Sequence, residues 1–178
     1  MKPRLLDLFC GAGGAAMGYH RAGFDVVGVD INPQPHYPFE FHQGDAMTWP
    51  LDGFDVIHAS PPCQPYSRAV TSASSPWNDT KGKDEPALIP ALRERLAGRW
   101  WVIENVEGAP LDGITLCGSM FGLDIPRHRI FESSVFMFAV PPGHPRCAGR
   151  AKDAAARRGW EYRDMSVTGK GRHAGTSE

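Results

Sequence analysis

The feature that most constrains this chain is near its start. Arg4 to Phe9 (RLLDLF) is a short apolar run that passes directly into Gly11-Ala12-Gly13-Gly14. A second run, Asp25 to Asp30 (DVVGVD), follows about one helix later. An apolar hexamer closed by glycines is too short for a buried helix and reads as a strand buried on both faces. Ala15 to Ala22 reads as a helix ending at Gly23. The unit is therefore strand, tight turn, helix, strand. Further strands are expected at Phe39 to Gln43, at Phe54 to Ala59 (stopped by Pro61 and Pro62), and at Trp100 to Val106. Arg129 to Phe138 suggests one or two more. A helix is expected over Ala87 to Ala97, with Leu88, Leu92 and Leu96 on one face, and a long loop over Ser67 to Lys83. Strands alternating with helices predict an α/β fold: a doubly wound, mostly parallel, Rossmann-like sheet with helices on both faces.

Composition narrows the function classes. Gly and Pro total 36 of 178 residues, which implies many loops. There is no run of about 18 apolar residues, so no membrane-spanning helix is expected. The start lacks the apolar core of a secretion signal, and a cytoplasmic location is the expectation. Four cysteines, at 10, 63, 117 and 147, form no CxxC pair, which argues against a disulfide scaffold or a zinc site. No metal is expected. Residues 1–140 carry 11 basic and 16 acidic side chains, whereas residues 141–178 carry 8 and 4. The expected organisation is a catalytic and cofactor-binding domain over 1–140 and a short basic, loop-rich segment over 141–178 that meets phosphate.

Four constellations carry chemistry. In Phe9-x-Gly11-x-Gly13-Gly14, glycines admit close backbone approach and the following helix offers N–H groups to a ligand. Asp30, ending the second strand, is placed to accept from ribose hydroxyls, so the ligand is a nucleoside-containing cofactor. A dinucleotide is an open alternative on these letters. Next, Pro61-Pro62-Cys63-Gln64-Pro65-Tyr66-Ser67 fixes one cysteine at a strand's carboxyl end, as a nucleophilic thiol requires. Third, Glu104-Asn105-Val106 ends an apolar strand on the same rim. A partly desolvated carboxyl there has a raised pKa and can donate a proton. Last, Arg127-His128-Arg129 places two guanidinium groups on one side of an extended segment, suited to a phosphate, a base carbonyl or a thiolate.

In order and spacing these segments resemble the DNA (cytosine-5)-methyltransferase family. Asp7-Leu8-Phe9-Cys10-Gly11-Ala12-Gly13-Gly14 looks like its motif I, Asp30-Ile31-Asn32-Pro33 its motif II, and Gly44-Asp45-Ala46 its motif III. Pro61-Pro62-Cys63-Gln64 is similar to motif IV and Glu104-Asn105-Val106 to motif VI. The resemblance implies S-adenosyl-L-methionine as cofactor, leaving as S-adenosyl-L-homocysteine. It implies a cofactor site of Asp7, Phe9, Cys10, Gly11, Ala12, Gly13, Gly14, Asp30, Ile31, Asn32, Asp45, Ala46 and Pro62. Cys63 is implied as the nucleophile toward C6 of a flipped-out cytosine, with Glu104, Arg127 and Arg129 completing the catalytic set. Gln64, Tyr66, Ser67, Arg68 and Asn105 are expected at double-stranded DNA. Restriction-modification is the implied context.

The sequence also departs from the family pattern. Ile125 stands where the family has Gln before its two arginines. Fewer than 50 residues follow Phe131, and the closing motifs are not recognisable. The expectation drawn from this is a weak catalyst, completed by a further segment or a complementing chain. A tRNA cytosine-5 methyltransferase, or a cofactor- and DNA-binding remnant of the same fold, are the alternatives. A nicotinamide oxidoreductase leaves the Pro-Pro-Cys-Gln segment without a purpose.

Overall fold

The structure is a computed structural model and describes residues 1–67, 86–123, 125 and 127–135. Seven strands form one sheet: β1 (Arg4–Leu8), β2 (Asp25–Asp30), β3 (Glu40–Gln43), β4 (Val56–Ala59), β5 (Trp100–Asn105), β6 (Ile114–Cys117) and β7 (His128–Ser133). Their order across the sheet is β3-β2-β1-β4-β5-β7-β6. The first five are parallel, and β7 runs antiparallel to both β5 and β6. The connection between β1 and β2 is helix α1 (Gly14–Arg21), and helix α2 (Ile89–Arg95) precedes β5.

Strand alternation sorts the core into two halves. Leu6, Leu8, Val27, Val29, Ile57, Ala59 and Ile103 point to one face and pack on Ile89, Leu92 and Leu96 of α2 and its end. Leu5, Val26 and Val56 point to the other face and pack with Ala16 of α1, Tyr37 and Cys10. Because both faces are covered around β1, β2 and β4, their sequences read as unbroken apolar runs rather than as alternating ones. The parallel strands all deliver their carboxyl ends to one rim, which is where the chain's polar loops gather.

Most expected elements form, with shorter bounds. The helix expected over 87–97 is regular over Ile89–Arg95, with Leu92 and Leu96 fully buried and Leu88 partly so. The strand expected from Phe54 begins at Val56. Phe54 instead lies under the Arg4 guanidinium, 4.7 Å from its ring centroid. The strand expected through Val106 ends at Asn105. The expected Arg129–Phe138 strand is β7 as far as Ser133; residues 136–138, the loop 68–85 and the segment 141–178 lie outside the described residues. Strand β6 was not anticipated. Gly113 at its entry is required by close approach: a β-carbon there would sit 2.0 Å from the Phe131 carbonyl oxygen.

Candidate active site at the carboxyl rim

The turn after β1 is built by unusual backbone. Phe9 has φ 59°, Gly11 49° and Gly13 86°. A β-carbon on Gly13 would lie 2.7 Å from the Pro38 ring, so glycine lets the 31–38 loop close on the turn. At Gly11 and Gly14 a β-carbon would meet nothing within 4 Å, so the turn faces open space. This is a cradle of the kind a nucleoside-bearing ligand fills.

Asp30 organises that cradle. One carboxylate oxygen accepts from the Gly11 N–H at 3.0 Å, the other from the Asn32 N–H at 2.9 Å. Each oxygen keeps a second lone pair for a ligand hydroxyl. Ile31 beside it is 67% exposed, a large apolar side chain at the mouth of the cradle. The Asp30 carbonyl accepts from Gly44 N–H, and Gln43 donates to the Ile31 carbonyl, so the loops bearing Asp30 and Asp45 are tied together. Asp45 is exposed and uses Oδ1 to accept from Met47 N–H. Pro62 is partly exposed on the neighbouring loop, and Ala12 is exposed on the turn itself.

Other expected cofactor residues lie beneath this surface. Cys10 and Ala46 are buried in the two core halves, and the Cys10 thiol donates to the Gly11 carbonyl. Burial, with Asp7 and Asp30 nearby, pushes the Cys10 thiol up to about 12. Asp7 is 1% exposed, and its Oδ1 has no partner among the described residues. Tyr37 donates weakly to Oδ2 at 3.5 Å. Burial raises the Asp7 carboxyl to about 7, with Tyr37 opposing and Asp30 adding to the rise. The side chains of Asp7, Cys10 and Ala46, expected at the cofactor, are buried beneath the turn.

The thiol follows the carboxyl end of β4, and the carboxyl lies near the end of β5, the neighbouring strand. Ser60-Pro61-Pro62 leaves β4, and Cys63 caps a short 3-10 turn, Gln64–Tyr66, that hydrogen-bonds back to its carbonyl. Cys63 is partly exposed and unbridged. Glu104 ends β5, one strand over, with its side chain 20% exposed. Arg129 on β7 reaches it with Nε 2.7 Å from Oε1, and Ser60, just past β4, stands on its other side. Burial nevertheless wins: the Glu104 carboxyl is raised above the usual range, against the pull of Arg129, Ser60 and Arg127. Burial lowers the Arg129 guanidinium, while Glu104 and the nearby Cys63 act in the opposite sense. Arg127 is exposed beside them. The cluster therefore offers a nucleophilic sulfur, a carboxyl biased toward its protonated form and two cations at one rim.

Two residues expected at nucleic acid, Asn105 and Tyr66, are held within the fold. Asn105 is 1% exposed; its amide donates to the Pro61 carbonyl at 3.0 Å and its oxygen accepts from Val106 N–H. It braces the cysteine loop from behind. Alternation explains this, since Glu104 and Asn105 must point to opposite faces of β5. Tyr66 packs against the core on the α2 face, with its hydroxyl buried. Gln64 is exposed and Ser67 partly so, while Arg68 lies outside the described residues. Sequence reading missed the residues behind Glu104: Ser60 and the buried His58 beneath it. A histidine inside the apolar run Phe54–Ala59 was the available signal.

A family model described as C-5 cytosine-specific DNA methylase matches residues 3–109. The Type II methyltransferase M.AquIA of Picosynechococcus sp. is 29% identical over 128 residues, 61% of this chain and 50% of that protein. M.HgiCI of Herpetosiphon aurantiacus is 30% identical over 121 residues, 59% of this chain and 27% of that protein. The aligned region thus spans half or less of these two relatives. Among solved structures, the S. pombe Dnmt2 methyltransferase superposes with a TM-score of 0.53 at 18% identity, covering 86% of this chain and 54% of that one. The Entamoeba histolytica methyltransferase EhMeth gives 0.53 at 16%, covering 82% and 58%. Those two likenesses bear on the fold, which is that of a Rossmann-like methyltransferase. The match over 3–109 takes in the glycine cradle, the Pro-clamped cysteine and Glu104, and by it the chain belongs to the C-5 cytosine-specific DNA methylase family.

Proposed function

We propose that this chain transfers a methyl group from S-adenosylmethionine to C5 of cytosine in double-stranded DNA. The observation that carries the reading is the Cys63–Glu104–Arg129 cluster beside an open glycine cradle. The residues present fit the cofactor: the open space at Gly11 and Gly14 would take its methionine portion, Asp30 its ribose, and Ile31 with Asp45 its base. When bound, it supplies an electrophilic methyl group.

The chain's own residues do the rest. Cys63 sulfur, as thiolate, adds to C6 of the cytosine and forms a C–S bond, which moves electron density to C5. Glu104 donates its proton to N3 as that density develops, and burial favours its protonated form. After C5 has gained the methyl group, it loses its hydrogen as a proton to solvent water. The C–S bond then breaks, the electron pair returns to Cys63, and Glu104 recovers the N3 proton. Arg129 holds the Glu104 carboxyl in place throughout. Arg127, exposed next to it, is suited to a phosphate of the target strand.

The basic residues of 141–178 supply further phosphate contacts, and a cytoplasmic, restriction-modification setting accompanies this reading. Among the described residues no helix is long and apolar enough to cross a membrane.

The test is Cys63→Ala. It should abolish tritium transfer from labelled S-adenosylmethionine to mixed-sequence duplex while leaving cofactor affinity nearly intact. Duplex carrying 5-fluorocytosine should trap a covalent adduct on Cys63, seen by mass spectrometry. Wild-type turnover in the alanine variant would end the mechanism, and preference for RNA duplexes or hairpins over DNA would change the substrate.

A further inference from the structure

Behind the carboxyl of Glu104 lies a string of side chains that the proposed chemistry does not use. Tyr19 of α1 lies 3.0 Å from Nδ1 of His58, and Nε2 of His58 lies 2.7 Å from the Ser60 hydroxyl oxygen. Ala59 pairs with Ile103, so Ser60 follows beside Glu104 on the neighbouring strand, where it acts to lower that carboxyl's pKa. His58 is 1% exposed, in the middle of a strand whose neighbours are Ile57 and Ala59. An aliphatic side chain would bury there at less expense, since a polar ring needs partners for both nitrogens. It has both.

We propose that Tyr19, His58 and Ser60 form a positioning string that fixes the Ser60 hydroxyl as a donor to Glu104 and thereby orients that carboxyl and sets its acidity. Once Glu104 has given up its proton, the carboxylate only accepts, so in that state Ser60 donates its proton to it. The Ser60 oxygen is then free to accept, and takes the His58 Nε2–H. A neutral imidazole has one N–H, so Nδ1 is bare and accepts from the Tyr19 hydroxyl. Every group is satisfied in this one polarity. Burial lowers His58 to about 4, which keeps it neutral, and burial with Asp7 nearby raises Tyr19 to about 12, which keeps its proton. The other charges around the string are Arg129, which contacts Glu104, Arg127 and Cys63 near that pair, and Asp7, opposite His58 across β1.

This inference rests on the reading of Glu104 as the proton donor, and its test separates the two. Isotope-edited NMR of 13C-carboxyl glutamate follows the titration of Glu104 with no substrate present. Ser60→Ala and His58→Leu should each raise its pKa by about one unit, the worth of one hydrogen bond to a charge. His58→Gln, which keeps an N–H toward Ser60, should restore the wild-type titration. In methylation assays the first two should lower kcat about tenfold with the cofactor KM unchanged, and move the alkaline limb of the kcat profile upward. A purely structural His58 would favour leucine over glutamine in both stability and activity. In the wild type, 15N shifts should show His58 as the neutral Nε2–H tautomer from pH 5 to 9. Identical Glu104 titrations in all variants, or an Nδ1–H tautomer in the wild type, would overturn the string. Shifted titrations in a chain that methylates nothing would leave the string standing and remove the proposed function.

Discussion

Asp7→Asn should stabilise the protein above neutral pH and not below pH 4. The carboxyl is buried at 1% exposure, with one oxygen unpartnered among the described residues, a weak Tyr37 bond on the other and Asp30 nearby. Its pKa of about 7 in the folded chain compares with about 3.9 for an unfolded Asp. A folded value raised above the unfolded one means the folded state binds more protons in between. Stability is therefore fully present below about pH 4 and declines as pH rises to about 7. Three units at about 1.4 kcal/mol each give a penalty of about 4 kcal/mol at pH 8. Asparagine removes that penalty but buries an amide N–H without an evident acceptor, which costs about 1–3 kcal/mol. The net expectation is about 1–3 kcal/mol of stabilisation at pH 8, and a loss of similar size at pH 4. Urea unfolding of both chains at pH 4, 6 and 8 measures this directly. The difference between them should change sign within that window. Parallel stability curves would show that Asp7 keeps an ordinary carboxyl pKa, and the reasoning from burial would fail.

Asp30→Ala should weaken S-adenosylmethionine binding by about 1.5–3 kcal/mol, or about 10- to 150-fold, measured by calorimetry. It should also loosen the turn, because the Gly11 and Asn32 N–H groups both lose their acceptor. Asn105→Ala should cost about 1–3 kcal/mol in urea unfolding, since the buried Pro61 carbonyl loses its donor. By releasing the Cys63 loop it should slow methyl transfer about 100-fold at unchanged cofactor affinity; unchanged turnover would make the brace irrelevant to the thiol.

The parallel half of the sheet was legible because it is buried twice over. β1, β2, β4 and the first part of β5 are apolar on consecutive residues, and few other structures permit that. The rim positions of Cys63 and Glu104 followed, because a strand end in this architecture is a place as well as a boundary. β6 was not legible. Its four residues, ITLC, carry little pattern, and what makes them a strand is pairing with β7 more than ten residues away. The sidedness of β5 was equally hidden: alternation separates Glu104 from Asn105, but which one meets the open rim depends on where α1 and α2 lie. His58 looked like an interruption in an apolar run. Only the fold brings Tyr19, 39 residues distant, to its second nitrogen.

Strand β7 carries one arginine–carboxylate pair on each face. Arg129 bonds Glu104 on one side, and Glu132 receives Nε and Nη2 of Arg93 from α2 on the other. Moving β7 by a single residue would turn every one of its side chains over. Arg129 would leave the rim and Glu132 would enter it, so two carboxylates would crowd a site that has just lost its cation. Arg93 would face a strand with no acid to receive it. The hairpin of β6 and β7 is thus keyed to the parallel sheet like a two-pin plug, and the wrong insertion is penalised on both faces at once. Changes in the length of the connection from 118 to 127 can be absorbed, because the seating of Arg129 is set by those two pins rather than by the loop that leads to it.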